Sequence, residues 1–162
     1  MDTPVLMLAT GMAFNQFGML AAQDYFFDNP WRKRIVNFLM NLIPIDRKIS
    51  RSSLAKNISA CKHFVENGRH HLIIYPEGTR SLTGEIQPFK RGPALIALEL
   101  AMPLIPVYIH GAYQSLCKGR YFPKYGKINV KIGKPILPNK NKKLVTELLE
   151  SNVKKLKEWS LQ

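Results

Sequence analysis

Residues 71–76 read His-Leu-Ile-Ile-Tyr-Pro, and the polar string Glu77-Gly78-Thr79-Arg80-Ser81 follows without a break. Four successive apolar residues suit a strand covered on both faces, as in a parallel sheet. A parallel strand cannot reach its neighbour through a tight hairpin and needs a crossover, usually a helix. The rest of the chain offers that alternation. Ser50, Ser52 or Ser53 can cap a helix whose apolar positions are Leu54, Ile58, Cys61 and Val65, with Gly68 closing it. Residues 93–101 read as a short helix, 104–109 as a second buried strand and 128–132 as a third. Residues 143–159 read as a helix with Leu144, Leu148, Leu149, Val153, Leu156 and Trp159 spaced for one face. The expected class is α/β: a mostly parallel central sheet flanked by helices, in one domain over residues 1–162. No internal repeat and no long linker divides the chain.

The first part is harder to place. Residues 3–23 carry no charge, which raises the question of a membrane span. Asn15 and Gln16 sit in mid-run, Gly11 and Gly18 interrupt it, and no base precedes it. A buried helix over residues 4–14, then a buried strand over 19–23, is the better reading. Asn29 and Pro30 can start a helix reaching Leu42, with Trp31, Ile35, Phe38 and Leu39 on its stripe. Residues 43–46 suit a short strand or turn.

Charge narrows the partner. Twenty-four Lys and Arg face 11 Asp and Glu, for a net +13. Two basic blocks, 31–69 and 118–162, flank a neutral centre. Such a surface favours an anionic partner. No nucleic-acid-binding signature accompanies the charge, and the aromatics fall in apolar runs, so nucleic acid is set aside. Cys61 and Cys117 are far apart, with no CxxC and no His at metal spacing. Neither a disulfide framework nor a structural metal site is expected, and a reducing compartment is the default.

Chemistry gathers at the loop after the 71–76 run. In open α/β sheets ligands sit at the carboxyl ends of strands. Here that end carries the Glu77 carboxylate, a glycine that admits close backbone approach, two hydroxyls and the Arg80 guanidinium. Arg80 and backbone N–H groups could hold an anion. The plainer alternative is a surface turn with an incidental Glu–Arg pair.

The string Tyr75-Pro76-Glu77-Gly78-Thr79-Arg80-Ser81 resembles the FPEGTRS block of the PlsC-type 1-acylglycerol-3-phosphate O-acyltransferases. Ile45-Asp46-Arg47 resembles the family's second block, Phe89-Lys90-Arg91-Gly92 the basic stretch after FPEGTRS, and residues 104–109 the fourth block. Gly133-Lys134-Pro135-Ile136 resembles the closing strand end. The resemblance covers the chain to about residue 137. It implies transfer of a fatty acyl group from a coenzyme A or acyl carrier protein thioester to the free hydroxyl of lysophosphatidate, giving phosphatidate. No cofactor beyond the thioester and no metal is implied.

By the same resemblance, Arg47 and Arg80 would hold the acceptor phosphate, with Lys90 and Arg91 supplementing them. Glu77, Gly78 and Thr79 would line the site. The family's first block is a His followed five positions later by an Asp, base and orienting partner. Asp2 fits as the Asp, and the His would then stand upstream of Met1. None of His63, His70, His71 and His110 has an Asp at that spacing. The chain is therefore expected to begin inside the first block, without the family's membrane helices and nearly inactive by itself. The implied location is peripheral, on the cytoplasmic face of a membrane, with the basic blocks against an anionic surface. The alternative is a non-catalytic module of the same fold that holds anionic lipid.

Overall fold

The computed structural model describes residues 2–22, 41–46, 50–68, 71–79, 81, 83–115 and 124–160. They divide into two compact units, residues 10–74 and residues 1–9 with 75–162.

In the first unit a 3-10 turn, Phe14–Gln16, leads into β1 (Phe17–Ala22). β2 is Leu42–Ile45, α2 is Arg51–Glu66 and β3 is His71–Ile73. All three strands are parallel in the order β2-β1-β3, with Met19 opposite both Leu42 and Ile73. The middle strand is the covered one: Phe17, Met19, Leu20 and Ala21 are buried. β3, expected to be covered on both faces, is half-buried, because among the described residues it pairs on one side only.

Helix α2 begins where Ser50 accepts the Ser53 N–H at 3.0 Å, a side-chain N-cap. It packs on β2, with Cys61 fully buried and Phe64 nearly so. Gly18 of β1 lets it approach: a Cβ there would lie 2.7–2.8 Å from two ring carbons of Phe64. The chain enters β2 through Asn41, in the left-handed region at φ 48°, where the side-chain amide donates to the Phe17 carbonyl at 2.9 Å. The helix expected from Pro30 lies over residues outside those described, except at its end, where Asn41 is left-handed and Leu42 opens β2 instead.

The second unit begins with α1 (Asp2–Thr10), closed by Gly11 at φ 68°. The sequence suggested a buried helix here. Leu8 is instead 87% exposed, and none of residues 4–10 is fully buried. α3 (Gly92–Leu100), β4 (Val107–His110), the single turn α4 (Ala112–Ser115), β5 (Asn129–Ile132) and α5 (Lys142–Trp159) follow. β4 and β5 form an antiparallel pair rather than extending the parallel sheet, and Leu104 adds a bridge to Ile136. α5 is the spine, packing on α3 and β4. Its buried face is Val145, Leu149, Val153 and Leu156. Leu144, Leu148 and Trp159, expected on the same face, are exposed because they lie to one side of that stripe. Among the described residues no helix is long and apolar enough to cross a membrane.

Candidate functional site

The loop over residues 75–91 follows directly on β3 in the chain. Its first turn is closed by the Gly78 N–H, which donates to the Tyr75 carbonyl at 3.0 Å. Gly78 sits at φ 70°, in the region that favours glycine. Its bare α-carbon has a second use. A Cβ there would lie 2.8 Å from Nζ of Lys90 and 3.2 Å from its Cδ, so the lysine stem runs close across the turn. The Lys90 N–H donates to the Pro76 carbonyl at 2.9 Å, which ties the far end of the loop to the near end. Lys90 is thereby brought back to the turn that holds Glu77, Gly78 and Thr79, with Thr79 and Lys90 exposed.

Between the two ends the loop is held by its own side chains. Ser81 Oγ accepts the Gly84 N–H at 2.8 Å and donates to the Glu85 carbonyl at 3.1 Å. Helix α5 grips it from outside. Glu150 Oε2 accepts the Phe89 N–H at 3.0 Å, and Lys157 pairs with Glu85.

Burial pushes the Glu77 carboxyl above its ordinary value of 4.5, partly offset by a hydrogen bond from the Gln87 backbone. The folded chain therefore binds this proton more tightly than the unfolded chain. Its contribution to stability is full below the ordinary value and is lost as pH rises through the raised one. Glu77→Gln is expected to stabilise the protein at pH 7 and to lose that advantage below pH 4.5. Thermal melts at the two pH values check this, and a gain of equal size at both would exclude burial of charge as its source.

The other expected site residues fall differently. Asp2 opens α1, in the same unit as the loop, but its side chain lies outside the described set, as do Arg47 and Arg80. In the first unit, the approach to Arg47 is anchored. Asp46 Oδ2 accepts the Ser53 hydroxyl at 2.8 Å, and the Asp46 N–H and carbonyl both pair with the Asn57 amide at 2.8 Å. Sequence reasoning missed Glu150, Ser53, Asn57 and Gln87. Ser53 was visible only as a cap. Burial raises the Cys61 thiol to about 11, which removes it as a nucleophile near neutrality. His110, with its ring 6.5 Å from that of Tyr108, lines a hollow of about 550 Å³ together with Tyr113, Lys124 and Lys127.

A family model described as Acyltransferase matches residues 1–110. A Bacillus subtilis 1-acyl-sn-glycerol-3-phosphate acyltransferase is 32% identical over 163 residues, spanning 94% of this chain and 74% of the relative. A Cocos nucifera protein of the same description is 34% identical over 90 residues, covering 56% of this chain. The chain spans about a quarter of the length of that plant protein. Among solved structures, the 1-acyl-sn-glycerophosphate (LPA) acyltransferase PlsC from Thermotoga maritima superposes with a TM-score of 0.69 at 24% identity. That match covers 91% of this chain and 58% of the other. At that identity the likeness is one of fold.

Proposed function

The chain belongs to the PlsC-type acyltransferase family, and from that premise we propose that it is the acceptor-binding part of a 1-acylglycerol-3-phosphate O-acyltransferase. The observation that carries the proposal is the loop of residues 75–91, which sets the Lys90 ammonium against the bare α-carbon of Gly78, between Glu77 and Thr79 in the chain. A phosphomonoester needs fixed positive charge and close backbone approach. Lys90 supplies the first and the bare turn at Gly78 the second. In this reading Arg47 and Arg80 add planar donor forks, and Glu77 holds the glycerol hydroxyl side of the acceptor.

The reaction is direct attack. The acceptor hydroxyl oxygen forms a bond to the thioester carbonyl carbon, the carbon–sulfur bond breaks, and the hydroxyl proton passes through a base to the departing thiolate. Asp2 would orient that base, an imidazole five positions before it in the family's block, and stabilise the imidazolium that forms. The donor is a thioester of coenzyme A or of acyl carrier protein. The basic excess of residues 118–162 supports docking against an anionic membrane surface at its cytoplasmic face, where each lysine near the surface contributes about 1 kcal/mol.

Acceptor preference tests the reading. Thiol release from either thioester is measured with lysophosphatidate and with the phosphate-free monoacylglycerol, on this chain and on a form extended upstream. Faster release with the phosphate-bearing acceptor is the expected result, and equal use of the two acceptors removes the phosphate cradle. Lysophosphatidate binding without turnover in every form moves the assignment to a non-catalytic anionic-lipid-binding module.

A further inference from the structure

We propose that Glu150 of α5 is a positioning residue for the acceptor phosphate: by holding the Phe89 N–H it fixes Lys90 over the bare α-carbon of Gly78. The proposal rests on the acceptor-binding reading given above and adds to it a residue from beyond the span 1–110 that the family model matches.

Three observations carry it. Glu150 Oε2 accepts the Phe89 N–H at 3.0 Å across 61 positions of sequence, so the contact is tertiary and not a by-product of helix geometry. The other oxygen is engaged as well, since Lys154 Nζ donates to Oε1 at 2.6 Å and holds the carboxylate in one orientation. That ion pair and the Phe89 N–H hold the Glu150 carboxyl below its ordinary value, so it is an anion across the neutral range. Finally, Phe89 is covalently next to Lys90, whose own N–H is bound to the Pro76 carbonyl. The backbone is thus pinned at the Lys90 nitrogen and at the one before it, once to the turn and once to α5. Lys90 has a long flexible stem, and an ammonium free to wander contributes little to binding. Release of the Phe89 anchor would loosen the backbone next to Lys90, and displacement of a binding group by about 1 Å can cost up to 10²-fold. The Lys157–Glu85 pair holds the loop at a second point, upstream of this one.

The test is a double-mutant cycle on the whole chain, read as affinity for a short-chain, monomeric lysophosphatidate and for the matching monoacylglycerol. Lys90→Met is expected to weaken phosphate-bearing acceptor binding about tenfold. Glu150→Ala should weaken it about fivefold and add nothing further in the Lys90→Met background, because its effect passes through that lysine. Glu150→Gln keeps an oxygen for the Phe89 N–H and should bind within about twofold of the parent. Monoacylglycerol affinity should be unchanged throughout, which a general loss of structure would not allow. If Glu150→Ala does not fold, Glu150→Asp takes its place: it keeps the charge, shortens the reach by one methylene and should reproduce the loss. Parent-like affinity in whichever of these two variants is used, or full additivity with Lys90→Met, overturns the role of Glu150 while leaving the acceptor site intact. Parent-like affinity in Lys90→Met, or no lysophosphatidate binding by the parent, overturns the acceptor site itself.

Discussion

A leader that places a histidine five positions before Asp2 is expected to raise lysophosphatidate-dependent thiol release by roughly 10²–10⁴-fold over the 162-residue chain. The proposed acceptor is an alcohol, which at neutral pH holds its proton and attacks poorly. In the proposed reading a base within hydrogen-bond reach removes that proton as the new bond forms, and the family's first block would supply it as an imidazole five positions before its Asp. None of His63, His70, His71 and His110 is followed by an Asp at the block's spacing. His71 packs its ring against Phe17, with centroids 5.2 Å apart, as a strand residue does. The comparison needs a second leader with alanine in place of the histidine. Thiol release that rises equally with both leaders would show that added length, not the imidazole, is responsible. Release that stays flat with both would end the assignment of Asp2.

The largest stability effect is expected at Gly18. β1 is the middle of three parallel strands, and α2 lies over it with the Phe64 ring against the glycine. Gly18→Val inserts three carbons where even one would stand 2.7–2.8 Å from ring atoms of Phe64. Phe64 is 7% exposed and cannot swing into solvent without leaving the core. Overpacking of this kind costs about 3 kcal/mol, the upper part of its usual range. The denaturation midpoint measures it. Phe64→Leu in the same chain should recover part of the loss by opening room for the added carbons. Loss of the same size with and without that second change would place the strain elsewhere than at the ring.

What could be read from the sequence depended on how local each cause was. α2 and its Ser50 cap were legible because the cap lies three residues from the N–H it accepts. The turn at Gly78 was legible as chemistry because it directly follows an apolar run and carries a carboxylate and a guanidinium in the sequence. The middle place of β1 was not. Its Phe-Gly-Met-Leu-Ala-Ala run is no more apolar than residues 72–75, and only pairing with strands on both sides decides which of the two is covered. The antiparallel setting of β4 and β5 was hidden for a similar reason. Apolar strands look alike until the direction of their partner is known. On α5, the six apolar positions offered more than one face, and contact with α3 and β4 chose the stripe through Val145, Leu149, Val153 and Leu156. Glu150 carried no local signal at all, because what it holds is 61 positions away.

The hold of α5 on the loop also ties their fluctuations together. The Phe89 amide proton is bound to a helix whose Val145 is 1% exposed. Exchange of that proton with deuterium requires the carboxylate to let go, so its rate reports how often the loop parts from the helix. Local openings of this sort range from nearly free to the cost of global unfolding. An anion seated against Lys90 would slow that one amide without touching it, which makes isotope exchange at Phe89 a gauge of occupancy in a chain that need not turn over.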